Sequence, residues 1–320
     1  MTQTARMRFA RPIAGYAAIV FMLPYLALKA AWLSGNPIGF VDASLVSKPG
    51  MIAANVLSFG MDFAAVGLAL TFTHQWGQRV PAWLVLFPMW VATGFLAPAV
   101  VLVPITLLAR VMTPDASRSA SAMLEPWVGG VVGASFGGQG AALIVAFVLY
   151  MRARWGDLLQ STTVASLPGQ THEVQVILAN VAAPMAVASG VLHLIWAFGG
   201  TIGLGAGAQQ QHVLNGIWGV MSLAGAVGVL GLVHRWRRVP ITLLLTLTWI
   251  GAGSLFAWGL WTLVLVLPGI TFGNPVGGVA IRNSLSFVKF TSGMLIGLVT
   301  VLLLVERRRA AAFASTGASR

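Results

Sequence analysis

Residues 240–267 read PITLLLTLTWIGAGSLFAWGLWTLVLVL, a run without a single charged side chain. An α-helix rises about 1.5 Å per residue, so roughly 20 apolar residues cross the ~30 Å hydrocarbon core of a bilayer. The run shows none of the strict apolar–polar alternation of a half-buried strand. It therefore predicts a membrane-spanning helix. Working outward, equally apolar runs occupy 13–34, 51–74, 82–109, 127–151, 177–203, 212–234 and 284–305, which makes eight spans in all. Composition points the same way: with 58% hydrophobic and 8% charged residues over 320 positions, a water-soluble domain would expose far too much apolar surface. Lipid offers no partner for backbone N–H and C=O groups, so spans of this length have to be helical, and the fold class is an all-α membrane protein. The Arg-rich N-terminus followed by an apolar run imitates a signal peptide. No cleavage site follows, however, and Lys29 interrupts the natural place for one, so the segment is read as a retained first helix.

The formal charge of +12 raises the question of nucleic acid, and the position of each basic residue answers it. Arg6, Arg8, Arg11, Arg79, Arg152, Arg154, Arg235, Arg237, Arg238, Arg307, Arg308, Arg309 and Arg320 fall at the N-terminus, in alternate connections and at the C-terminal end. The opposite connections hold only Lys48, Arg110, Arg118 and Arg282. Such a bias is the positive-inside signature, and it places both termini in the cytoplasm of a bacterial inner membrane. The basicity orients the chain in a bilayer and attracts anionic lipid; a nucleic-acid partner is not expected. There is no cysteine, hence no disulfide, thiolate metal site or thiol nucleophile. The seven carboxylates are scattered, so no metal centre is expected.

The chain also repeats itself. At a constant shift of 160 positions Asn55 matches Asn215, Met61 matches Met221, His74 matches His234 and Trp76 matches Trp236. One position less aligns Arg79, Val80, Pro81 and Trp90 with Arg238, Val239, Pro240 and Trp249. Four more align Trp32, Gly35, Ile38 and Gly39 with Trp196, Gly199, Ile202 and Gly203. Further on, Val128–Val131 resembles Val276–Val279, and Gly138 falls opposite Gly293. Scarce residue types carry most of these matches, which argues for duplication rather than shared composition. Four spans return to their starting side, so the two halves have the same orientation and form tandem, parallel four-helix repeats. The predicted organisation is a first repeat over 1–155, a cytoplasmic connection over 156–176 and a second repeat over 177–320 with a short basic tail. Glycines such as Gly129, Gly130, Gly133, Gly137 and Gly138 suit close helix packing. A sharper alternative makes 127–140 and 273–284 broken or re-entrant. Pro88, Pro98 and Pro104 predict a kink in the third helix.

Ionisable groups inside spans are costly and usually face a polar interior, so they are the foremost site candidates. Lys29, Asp62, His193 and Lys289 qualify. The repeat aligns Lys29 with His193, each three residues before its matched tryptophan, and Asn55 with Asn215. These six residues are candidates for lining a polar cavity between the repeats, in the outer half of the bilayer, where a small amphipathic ligand or a lipid could bind. The structural alternative has the lysines snorkelling, the histidine packing through a hydrogen bond, and Lys29 paired with Asp62. His74 and His234 sit at helix ends beside Trp76 and Trp236, a pattern that interfacial anchoring explains. As a pair, or as His193 with His212, the histidines could also ligate a b-type haem, although no spacing selects it, so no cofactor is expected. His172 is read as a loop residue. No Walker, zinc-protease, Rossmann or nucleophile-elbow motif is present.

The run HLIWAFGGTIGL, His193 to Leu204, resembles a motif of small bacterial four-helix membrane proteins of unassigned function. As a whole the chain is similar to uncharacterised actinobacterial-type polytopic membrane proteins. The resemblance implies a membrane fold and no particular activity. Parallel repeats with polar groups at their interface suit a permease or export-related protein for a small or amphipathic compound. The alternatives are a membrane-embedded enzyme acting on a lipid or isoprenoid, with His193 or Asp62 as acid or base, and a b-type haem electron-transfer protein. Without a paired catalytic motif, the enzyme is the less favoured of these classes.

Overall fold

Proline stands at the start of two helices and just before two others. Its fixed φ suits a first turn, where the missing N–H would have had no partner. In the structure, a computed structural model describing residues 3–112, 124–160, 169–204, 211–236, 238–266 and 279–317, Pro49 and Pro126 begin α2 (Pro49–Thr73) and α4 (Pro126–Gln160). Pro81 and Pro240 stand immediately before α3 (Ala82–Met112) and α7 (Ile241–Val266), where their carbonyls accept from Leu84 N and Leu243 N at 3.1 and 3.0 Å. The remaining helices are α1 (Gln3–Leu33), α5 (His172–Ala197), α6 (His212–Val233) and α8 (Val279–Gly317). Each of the eight is long and apolar enough to cross a bilayer, and no strand occurs among the described residues. The chain is an all-helical, polytopic membrane protein. Its outward surface accords with that: Ile13, Phe63, Ile177 and Val220 are each more than 60% exposed, as lipid-facing residues are and water-facing ones seldom are.

Several helices exceed the predicted spans, because α1, α3 and α8 continue into polar flanks. Residues 127–140, considered for a re-entrant segment, lie within one uninterrupted helix, and α4 departs from helical geometry only at Trp155. The other segment considered, 273–284, is helical from Val279 and otherwise lies outside the described residues. α3 is a single helix through Pro88, Pro98 and Pro104. His172, read as a loop residue, is the first residue of α5. Above it, Glu306 of α8 accepts from Thr171 N at 2.7 Å and from Thr171 Oγ1 at 2.6 Å, satisfying a donor at the start of α5 that no helical carbonyl can reach.

Two compact units divide the chain, one centred on Met1–Arg154 with α1 to α4, the other on Trp155–Leu263 and Val276–Arg320 with α5 to α8. In the first, α2 packs on α1 and α3, while Phe136 and Phe147 of α4 reach Tyr25 of α1 and Phe72 of α2. In the second, α5 packs on α6 and α8. Gly251 of α7 lies so close to Gly225 of α6 that a Cβ built on it would stand 2.3 Å from the Gly225 nitrogen. Buried hydroxyls are reconciled with an apolar interior by donating one turn back: Thr71 to Gly67, Thr93 to Met89, Ser222 to Trp218, Thr248 to Leu244 and Thr300 to Ile296, all at 2.7–2.8 Å.

The matched residues of the two halves make matching local structures. α1 and α5 end in the same way: Gly35 and Gly199 take φ of 85° and 89°, the left-handed region that a Cβ disfavours. Asn36 N reaches Ala31 O at 2.9 Å and Gly200 N reaches Ile195 O at 2.8 Å, while Gly35 N and Gly199 N donate to Trp32 O and Trp196 O. This is the Schellman stop signal, which satisfies carbonyls at a helix C-terminus. The indole of Trp32 then donates to Ile38 O at 2.8 Å, and that of Trp196 to Ile202 O at 2.8 Å. Beyond the first of these turns Asp42 caps a short 3₁₀ helix (Ala43–Ser47); the Ser44 N–H bonded to its carboxylate holds that group below the usual carboxylate range. Trp196→Phe keeps the ring's bulk and removes the donor. It is expected to cost about 1 kcal/mol in unfolding of the purified protein, through one unsatisfied carbonyl.

Candidate functional site

Lys29 is four residues before the end of α1, and Asp62 is midway along α2. The Schellman stop and the packing of α1 on α2 bring them together: Lys29 Nζ donates to Asp62 Oδ2 at 2.6 Å, with Lys29 wholly buried. Tyr25, one turn earlier on α1, places its ring 4.0 Å from the same ammonium. The charge of this pair sums to zero, and its attraction offsets the several kcal/mol that either charge alone would cost in the interior. Asn55, two turns before Asp62, is buried in α2, but Lys29 goes to Asp62 rather than to it. Neither half of the pair snorkels.

The equivalent positions of the second unit are chemically different. His193 stands where the repeat has Lys29, and Ser222 stands where it has Asp62. His193 Nδ1 lies 2.9 Å from Asn215 Oδ1 of α6, and its Nε2 lies 3.4 Å from Lys289 Nζ of α8. An amide oxygen only accepts, so the proton is on Nδ1; Nε2 then carries a lone pair and receives a hydrogen bond from Lys289. His193 is thus held as one neutral tautomer between two helices. Trp218, one turn after Asn215, lies beneath the lysine with its ring centroid 4.8 Å from Nζ. Trp196 meets the imidazole edge-on, with ring centroids 5.2 Å apart. Lys289 is 7% exposed and His193 is 3% exposed. Like Lys29, Lys289 is buried and does not snorkel.

Five of the six candidates are therefore in two centres, Lys29 with Asp62 and His193 with Asn215 and Lys289, while Asn55 joins neither through a side-chain bond. Sequence reasoning passed over Tyr25 and Trp218. Both were legible in outline, since Tyr25 is four residues from Lys29 and Trp218 three from Asn215, spacings that share a helical face. Trp218 Nε1 and Ser189 Oγ, buried in the second unit, have no hydrogen-bond partner among the described residues, and Ser189 is one turn before His193 on α5. Of the other histidines, His212 turns its Nδ1 to Trp196 O and Ala197 O at 3.2 and 3.1 Å. His74 binds Leu70 O at 3.1 Å and stacks on Trp76. Among the described residues no three His, Cys, Asp or Glu side chains gather as a metal site would require. Comparison with protein-family models, curated protein sequences and solved structures yields no match. Function has to be read from the chemistry of these two centres.

Proposed function

We propose that this protein is a permease or export-related carrier of a bacterial inner membrane, with both termini cytoplasmic, and that it binds a small amphipathic compound at Lys289. The single observation carrying this reading is a lysine buried in a membrane helix with no carboxylate beside it among the described residues. Two of its three donor sites are unused among the described contacts. A structural lysine would be neutralised, as Lys29 is by Asp62. One left with spare donors beside indole rings offers a polar head and an apolar wall to the same ligand. The arginine-rich flanks support the orientation, and the two helix stops with the same hydrogen bonds support a duplicated gene whose second copy exchanged a charge pair for a binding centre.

The reading is checked by flux into proteoliposomes across a panel of anionic, neutral and cationic amphiphiles. Lys289→Met is expected to cut flux of the anionic members by about thirtyfold, the equivalent of roughly 2 kcal/mol for losing one partner of a buried charge contact. The variant should unfold at the same temperature as the parent or higher, because it removes a polar group with no counter-charge. Flux of every class unchanged in Lys289→Met would refute the reading.

A further inference from the structure

Among the described residues of its unit, the groups that face Lys289 from the other helices include no acid. From α5 it meets His193 Nε2, on the ring whose Nδ1–H donates to Asn215. From α6 it meets Trp218, which does not titrate, and the helix's one titratable residue, His212, is at its first position bonded to α5 carbonyls. α7 contains no titratable residue, and its Trp258 packs on Trp218. From Glu173 to Glu306 the chain has no Asp or Glu at all. Glu173 is twenty residues before His193 on α5 and Glu306 seventeen after Lys289 on α8, roughly 30 and 25 Å along their helices. Asp157 precedes α5 in the chain, toward the end that Glu173 occupies. The unit thus supplies no anion to its own buried lysine.

A primary amine in that position is satisfied in two ways: as the free base, donating to His193 Nε2, or as an ammonium with an external anion. Resting on the carrier reading above, we propose that Lys289 binds the carboxylate of an apolar monoanion and that each anion enters with one proton, taken up by the Lys289 amine. The step balances: a proton leaves water for the amine nitrogen's lone pair, the new ammonium binds the carboxylate, no covalent bond of the ligand changes, and the occupied site has gained no net charge. A single amine matches one negative charge, whereas a phosphate dianion would leave a charge buried. The unpartnered Trp218 Nε1 and Ser189 Oγ are further donors in the same buried neighbourhood, and the Trp196, Trp218 and Trp258 rings suit an aromatic or alkyl body.

The test uses the full chain in nanodiscs, titrated calorimetrically at about pH 8 with benzoate, octanoate and acetate in HEPES and in Tris, whose different ionisation enthalpies reveal proton uptake. Benzoate and octanoate should bind better than acetate, with a net proton uptake that rises toward one per anion, and an affinity that falls toward tenfold per pH unit, as the pH is raised to where the empty lysine is neutral. Lys289→Arg, protonated throughout, should bind without uptake, and Lys289→Met should not bind. Binding without uptake by the parent, or uptake by Lys289→Arg equal to the parent's, overturns proton coupling while leaving carriage of anions intact. No binding of any of the three carboxylates overturns the site; a Lys289-dependent flux of some other solute would then still sustain the carrier reading.

Discussion

Asp62→Ala should lower the stability of the purified protein by about 3–5 kcal/mol, read as a large drop in denaturation midpoint in detergent or as loss of the monodisperse species. The substitution leaves Lys29, 0% exposed, without the oxygen 2.6 Å from its ammonium. Breaking a buried pair on one side strands the other charge in a medium that cannot solvate it, and that desolvation cost, more than the lost attraction, sets the size of the effect. The double variant Lys29→Met with Asp62→Leu should recover most of the loss, since apolar groups of similar volume replace such pairs at little cost. A deficit below about 1 kcal/mol in the single variant would mean that water or lipid headgroups reach the pair, against the burial seen here. The contrast with Lys289→Met, expected to be neutral or stabilising, is what separates a paired lysine from one kept for a ligand.

Gly251→Ala is the second large effect, at about 3 kcal/mol, the upper part of the usual range for overpacking. The added carbon would lie 2.3 Å from Gly225 N, 2.4 Å from Gly225 Cα and 2.5 Å from Met221 O, all main-chain atoms of α6. No rotamer change can clear them, so α6 and α7 would have to separate and lose the dispersion contacts that hold helices together where lipid is as apolar as their side chains. Gly60→Ala is the control. Nothing lies within 4 Å of its Cβ position on an exposed face of α2, and the change should be neutral or stabilise slightly through helix propensity. Equal melting of the two variants would show that the α6–α7 approach contributes nothing particular.

If both expectations hold, the two units represent two answers to one problem. Each puts a basic group about one turn from the end of its first helix. In one unit that group is Lys29, cancelled by Asp62 from the next helix; in the other it is His193, which donates to Asn215 of the next helix while Lys289 arrives from the last. In the sequence alignment of the halves Ser222 falls opposite Asp62, and Lys289 falls opposite Ala134 in the register of Gly138 and Gly293.

By itself the sequence determined the number of helices, because unbroken apolar length is a local property that lipid selects directly. It brought the end of α1 to within a residue, but α5, read through 203, stops at Ala197, where the left-handed Gly199 turns the chain as Gly35 does after α1. It also left Lys289 a stretch of its own half without an acid, for none exists between Glu173 and Glu306. Tertiary structure alone decided that Lys29 meets Asp62 and not Asn55, that Lys289 meets a histidine 96 positions away, and that neither lysine snorkels. A helical period fixes which residues share a face; which faces then meet depends on packing among helices distant in the chain, and no local pattern encodes that choice.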